Sequence, residues 1–282
     1  MKRHLSFILL LLLSASAVAQ ERIFDRSDSI FIEKILSKHS IRKYSTTGEL
    51  ALAVASEFIG KEYVAGTLEN GRKEPLYISC TKLDCTTFVE LATAITVTIA
   101  SGEEGFNAVS KNLERIRYRN GVRDGYASRL HYTTWWIDDN IKKGIIEEVT
   151  NFSQHKKQPL NLHFMSSNSD KYPALKDNAQ MRRKIEELEK PFRGITISYI
   201  PKALLNLDHN KLKIENGDII ALVTTIDGLD ISHVGFAFWK EGNLHLLHAS
   251  SAKKMVIKDA QTLHSYQKNK KKQTGIRVLR IK

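Results

Sequence analysis

ISHVGFAFWKEGNLHLLHAS, residues 231–250, holds two apolar runs, 231–239 and 243–249, on either side of Lys240-Glu241-Gly242. Two such runs around a short glycine-containing break predict a β-hairpin. With a two-residue loop, Glu241-Gly242, Lys240 pairs with Asn243 and His248 falls opposite Gly235. His233 is then on the same face as His248 and diagonal to it, a backbone separation of about 7–8 Å. His245 points to the other face. A three-residue loop would reverse that parity, because strand side chains alternate with period two. One histidine on a strand is ordinarily a half-buried, satisfied residue. Gly235 opposite His248 leaves room for a second imidazole, so the register selects His233 and His248 as a pair.

Working outward from the hairpin, the second half of the chain carries further β-type runs: ITISYI, GDIIALVTT, KMVI and IRVLRI. The first half is helical in pattern, with candidates at 28–38, 47–60, 86–100, 104–117 and 129–142. Residues 150–175 are polar and irregular, and DNAQMRRKIEELEK (177–190) reads as a solvent-facing helix stopped by Pro191. Helices segregated before an antiparallel sheet predict an α+β fold and not a doubly wound parallel one. Neither an internal repeat nor a low-complexity linker divides the chain, so residues 21–282 are expected to form one domain.

Residues 1–20 are set apart. Lys2, Arg3 and His4 precede the apolar stretch Phe7–Leu13, and Ala17-Val18-Ala19 supplies a small-x-small cleavage site. This is the pattern of a secretory signal peptide, too short to span a bilayer. The mature protein is therefore expected to be exported, to the periplasm or beyond it, without stable membrane insertion. The formal charge of +12 falls to +10 when Lys2 and Arg3 leave. A basic exported protein suits an acidic extracytoplasmic partner such as a cell-wall polymer. Nucleic acid is excluded by location and by the lack of a recognition motif. The most basic run, KNKKK at 268–272, reads as a solvated loop.

LDCTTFVE, residues 83–90, contains the second of only two cysteines, Cys80 and Cys85. A bridge across a five-residue step would restrain the unfolded chain little, and neither C-x-x-C nor H-E-x-x-H signals a metal site. Asp84 is a good N-cap, with Cys85-Thr86-Thr87 in the first turn and an apolar face from Phe88 onward. Free N–H groups and the helix dipole at that position are expected to lower the thiol pKa and to hold an oxyanion. Cys85 is then a candidate nucleophile with His233 as its base and His248 as the group that orients His233. A small buried structural cysteine at a helix entry remains the plain alternative on this stretch alone.

These residues resemble the NlpC/P60 cell-wall cysteine peptidases. LDCTTFVE is similar to their D-C-S-G-F signature, KEYVAGTLE to the P-Y-x-x-G stretch before it, and ENGDII with SHVGFAFWKEGNLHLLHAS to their G-D, H-V-G and H-A-S strands. LDCTTFVE, SRLHYTTWWIDDN, ISYIPK, NGDIIALVTTIDGLDISHVGFAF, LHLLHASS and GIRVLR together, in order, resemble the DUF1460 branch from about residue 28 to the end. The resemblance implies a papain-like α+β core, with the nucleophile helix on an antiparallel sheet and Cys85, His233 and His248 as catalytic set. It implies that Tyr63 shapes the substrate site and that Asp84 either binds a substrate amine or only caps the helix. Thr86-Thr87 departs from the Ser-Gly of the main family.

The DUF1460 resemblance further implies an N-acetylmuramoyl-L-alanine amidase acting on soluble muropeptides, with neither metal nor organic cofactor. The segment SRLHYTTWWIDDN would then supply a sugar-recognising wall, Trp135 and Trp136 offering flat surfaces and His131 and Tyr132 polar contacts. The other reading of that segment is an amphipathic helix with both indoles buried. Competing functions are a γ-D-glutamyl endopeptidase on the same fold, a muropeptide-binding protein without catalysis, and an acyltransferase.

Overall fold

The computed structural model describes residues 21–69, 74–150 and 155–282; the signal peptide expected at 1–20 lies outside them. The helices are α1 (Arg26–Ser40), α2 (Thr47–Ser56), α3 (Cys85–Ala100), α4 (Gly105–Arg117), α5 (Thr133–Lys142), α6 (Phe164–Ser167), α7 (Ala179–Glu189), α8 (His209–Leu212) and α9 (Leu263–Lys268). The strands of the first half are short: β1 (Arg22–Ile23), β2 (Glu62–Tyr63), β3 (Leu76–Tyr77), β4 (Lys82–Leu83) and β5 (Ile146–Glu148). The main strands follow as β6 (Lys156–Asn161), β7 (Arg193–Pro201), β8 (Ile219–Thr224), β9 (Ile231–Lys240), β10 (Asn243–Ser250), β11 (Met255–Thr262) and β12 (Gln273–Ile281).

Nine strands line up as β4-β2-β11-β10-β9-β8-β12-β7-β6, with β5 also paired to β12. The central pairs are antiparallel, as expected, but β2 and β4 run parallel at one edge, which makes the sheet mixed. Strand β6 falls inside the stretch read as irregular. KKQPLN lacks strand alternation and contains Pro159, which cannot donate to a ladder on both sides; the fold places it at the sheet's edge, where proline is tolerated.

The decisive hairpin forms in the expected register, Lys240 opposite Asn243 and Leu247 opposite Phe236. Glu241 and Gly242 take φ of 51° and 75°, the two positive values that a two-residue type I′ turn requires. Below Phe236–Leu247 the pairing of β9 with β10 ends, while β10 continues its ladder with β11 through Ser250–Met255. The two strands part at the level of both histidines.

Each face of the sheet is covered. Val234, Phe236, Leu247 and Ala249 belong to the larger core with helices α1–α5, whereas Ala237, Leu244, Leu246, Ile220 and Val278 pack with Leu205, Leu212 and Leu263 on the other side. Helix α3 is held on the sheet by Phe88, which meets Phe58 and Phe236 edge-on at centroid distances of 5.9 and 5.6 Å. Glu90 and Arg117, both buried, join α3 to α4 through a 2.7 Å ion pair. This packing fixes where the first turn of α3 ends.

Candidate active site

Asp84 caps α3 in both directions: its Oδ1 accepts from Thr87 N at 2.8 Å, and Thr87 Oγ1 accepts from Asp84 N at 2.9 Å. This capping box commits the carboxylate to the helix and sets Cys85 at the first helical position. The half-buried thiol sits against β9, where Val234 N–H, the Thr86 hydroxyl and the Thr86 N–H donate toward its sulfur. The sulfur is thus one residue along β9 from His233, at the point where β9 and β10 separate. Tyr63 reaches the same place from β2, which pairs Tyr63 with Leu83 two residues before Cys85. Burial and the nearby Cys85 and Asp84 push its phenol above the usual range.

The expected acidic thiol is not found. Burial, and then the negative charge of Asp84, raise Cys85 to about 11, outweighing the three donors. A cap that serves the helix places a carboxylate beside the sulfur, and desolvation of a thiolate costs more than one helix end returns. Cys85 therefore rests as a thiol. Cys80 is also an unpaired thiol and is buried; its N–H donates to Asp28 Oδ1 at 2.8 Å, so its place is structural.

His233 and His248 meet as the register predicts. His233 Nε2 lies 2.6 Å from His248 Nδ1, with the rings edge-to-face at 4.8 Å. Burial, His248 and Lys270 depress His233 to about 3, so it rests neutral and able to accept a proton. Burial also lowers His248, against the opposing pull of Asp259. His245 stays apart, stacked on Phe238 at 5.2 Å.

Three residues that the sequence did not single out complete the cluster. Asp259 Oδ2 lies 3.3 Å from His248 Nε2. The Tyr266 ring on α9 stacks on His233 at 6.4 Å and meets His248 edge-on at 5.6 Å. Lys270 sets its ammonium 3.2 Å over the Tyr266 ring. The run 268–272 is thus not merely a solvated loop, because one of its lysines borders both imidazoles. KNKKK has no period that distinguishes Lys270 from its neighbours, so the sequence held no signal for it.

The expected sugar wall is corrected. Trp135 and Trp136 are 1% and 5% exposed: the amphipathic pattern of α5 turns both indoles inward. Trp135 packs on Tyr132 at 4.8 Å with Arg119 over its ring. Tyr132, also buried, donates its hydroxyl to Glu189 Oε1 at 2.7 Å and accepts from Met165 N at 2.8 Å. His131 Nε2 donates to the Tyr126 carbonyl at 2.8 Å, and burial holds its ring neutral. His131 and Tyr132 nonetheless border a cavity of about 180 Å³ that is also lined by Asp84 and Thr86, which flank Cys85, and by Arg129 and Tyr172. Among the described residues no group of histidine, cysteine and carboxylate side chains is placed to hold a metal, and no helix is long and apolar enough to cross a membrane.

The chain resembles known proteins over most of its length. An N-acetylmuramoyl-L-alanine amidase from Bacteroides uniformis is 38% identical and superposes with a TM-score of 0.78, covering 84% of this chain and 99% of that one. A Bacteroides fragilis protein, described provisionally as a xylanase, is 41% identical with a TM-score of 0.76 over 82% of this chain and 100% of that one. A Legionella pneumophila protein of the DUF1460 family shares the fold at 22% identity, with a TM-score of 0.68 over 90% and 94% of the two chains. No curated protein sequence matches. Residues 53–276, which include Cys85, His233 and His248, match the AmiA-like family model, described as N-acetylmuramoyl-L-alanine amidase-like. The chain belongs to that amidase-like family.

Proposed function

We propose that this protein is a cysteine-dependent amidase of the NlpC/P60 type that cleaves the amide between the muramic lactyl group and L-alanine in muropeptides. The observation that carries the reading is the 2.6 Å contact between two neutral imidazoles, set beside a cysteine at the first position of a capped helix. Family membership supplies the amide as the bond class. The signal-peptide pattern of residues 1–20 adds an exported setting, where cell-wall fragments are available.

The resting pair is thiol and imidazole, not thiolate and imidazolium. His233 takes the thiol proton as the Cys85 sulfur bonds to the amide carbonyl carbon, so proton transfer and attack proceed together. Donors that surround the sulfur, the Thr86 and Val234 N–H groups, are on hand for the negative charge that develops on the carbonyl oxygen. The C–N bond then breaks as His233 returns its proton to the leaving alanine nitrogen. Water attacks the thioester, gives one proton to His233, and the thiol is restored. The roughly 180 Å³ cavity beside Thr86 is the place for one side of the scissile amide.

Glycoside hydrolysis fits less well, since it relies on two available carboxyl groups across a sugar bond. Asp84 is spent on the helix cap and Glu90 on Arg117. The test is mass spectrometry of products from a disaccharide-tripeptide. Release of the intact tripeptide supports the amidase. A sugar-bearing dipeptide fragment instead assigns a γ-D-glutamyl endopeptidase, and hydrolysis that persists in Cys85→Ala removes the proposed nucleophile.

A further inference from the structure

We propose that Asp259 is a positioning residue that dictates which nitrogen of each imidazole carries the proton, so that His233 presents a bare Nδ1 to Cys85. The proposal rests on Cys85 and His233 acting as nucleophile and base. Asp259 occupies the irregular stretch of the β10–β11 ladder. Pairing runs from Ser250–Met255 to Leu247–Lys258, then jumps to His245–Thr262. The extra residues form a bulge, which bends a strand and re-aims its side chains. Asp259 Oδ1 accepts from Gln261 N at 2.9 Å, an Asx-type turn that pins the carboxylate. Its Oδ2 faces His248 Nε2 at 3.3 Å, with the side chain only 13% exposed.

The direction of every hydrogen bond follows from that carboxylate. It can only accept, so His248 Nε2–H donates to it. A neutral His248 has one ring proton, now on Nε2, and its Nδ1 must accept from His233 Nε2–H across the 2.6 Å contact. A neutral His233 also has one ring proton, now on Nε2, and its Nδ1 carries a lone pair. Without Asp259 both imidazoles could exchange tautomers together, placing a proton on His233 Nδ1, where the thiol needs a base. The other groups that face the pair are Tyr266 on α9 and Lys270 beyond it, and Tyr266 in turn neighbours Cys85 on α3. When His233 takes the thiol proton at Nδ1 it becomes imidazolium, and the His248–Asp259 chain lies on its far side to stabilise the charge.

Nitrogen-15 NMR of the wild-type protein near neutral pH is the direct test. Both His248 and His233 should carry their proton on Nε2. In Asp259→Asn the amide can turn either its oxygen or its NH₂ toward His248, so the preference should disappear. Alkylation of Cys85 by iodoacetamide and kcat on the disaccharide-tripeptide should then each fall by about 10- to 100-fold, by analogy with other groups that orient a working histidine, with KM little changed. His248 protonated on Nδ1 in the wild type overturns the proposal, as does an Asp259→Asn protein with unaltered tautomers and alkylation rate. The NMR and alkylation arms need no muropeptide. A wild-type protein that cleaves no muropeptide therefore counts against the amidase, while those two arms still decide the role of Asp259.

Discussion

Gly235 and His248 share one space on adjoining strands: a Cβ on Gly235 would stand 2.9 Å from His248 Cβ and 2.7 Å from the Leu247 carbonyl oxygen. Both obstacles are main chain or rooted in it, so neither can swing away. Gly235→Ala should cost about 1–3 kcal/mol, the range for inserting a methyl group into a packed site. It should also displace His248 from His233. Urea unfolding measures the first effect. The second appears as a loss of hydrolysis well beyond that of a control mutation with equal loss of stability.

The raised Cys85 pKa predicts how the thiol titrates. With its midpoint at about 11, the thiolate absorbance of wild type minus Cys85→Ser should show no step between about pH 6 and about pH 9, where an acidified nucleophile would ionise. A step within that window would mean that the helix end and its donors outweigh burial and Asp84.

His233 links the site to acid stability. Its pKa is lowered from 6.5 to about 3 in the native state, so between those values the unfolded chain binds a proton that the native protein excludes. Stability is complete above the unfolded value and declines as pH falls through the window, by up to about 1.4 kcal/mol per pH unit from this residue. Burial holds His131 and His248 low as well, which steepens the wild-type decline. Urea unfolding of His233→Gln at several pH values should show a shallower dependence than the wild type.

Much of this site was legible because it is local. Parity across a two-residue turn paired His233 with His248, and an Asp-Cys-Thr-Thr entry placed Cys85 at a helix start. What was not legible depends on distant chain. Desolvation of the thiol comes from the core and β9 packing against α3, and the indoles of Trp135 and Trp136 face inward only once α5 has a core to enter. Asp259 is aimed by a bulge, and a bulge breaks the two-residue period from which its direction would have been read. Lys270 belongs to a run whose charges are identical on paper and differ only in what lies beneath them.

The pair Glu90–Arg117 ties α3, the helix that begins at Cys85, to α4, and its removal should separate charge pairing from packing. Both side chains are buried, at 3% and 2% exposure, and Arg117 Nη1 also donates to the Tyr77 carbonyl at 2.7 Å. Glu90→Ala leaves the guanidinium buried with that carbonyl and no carboxylate, at a cost of about 3–5 kcal/mol. Replacing both partners by methionine removes the two desolvated charges together and keeps most of the volume, so much of that loss should be recovered. A double-mutant cycle by urea unfolding measures the coupling. If Glu90→Met with Arg117→Met were as unstable as Glu90→Ala, the pair's contribution would lie in its geometry, fixing the α3–α4 angle, and not in cancelling a buried charge. Because Glu90 is on the same helix as Cys85, hydrolysis by the double variant would then report how far that angle sets the position of the sulfur.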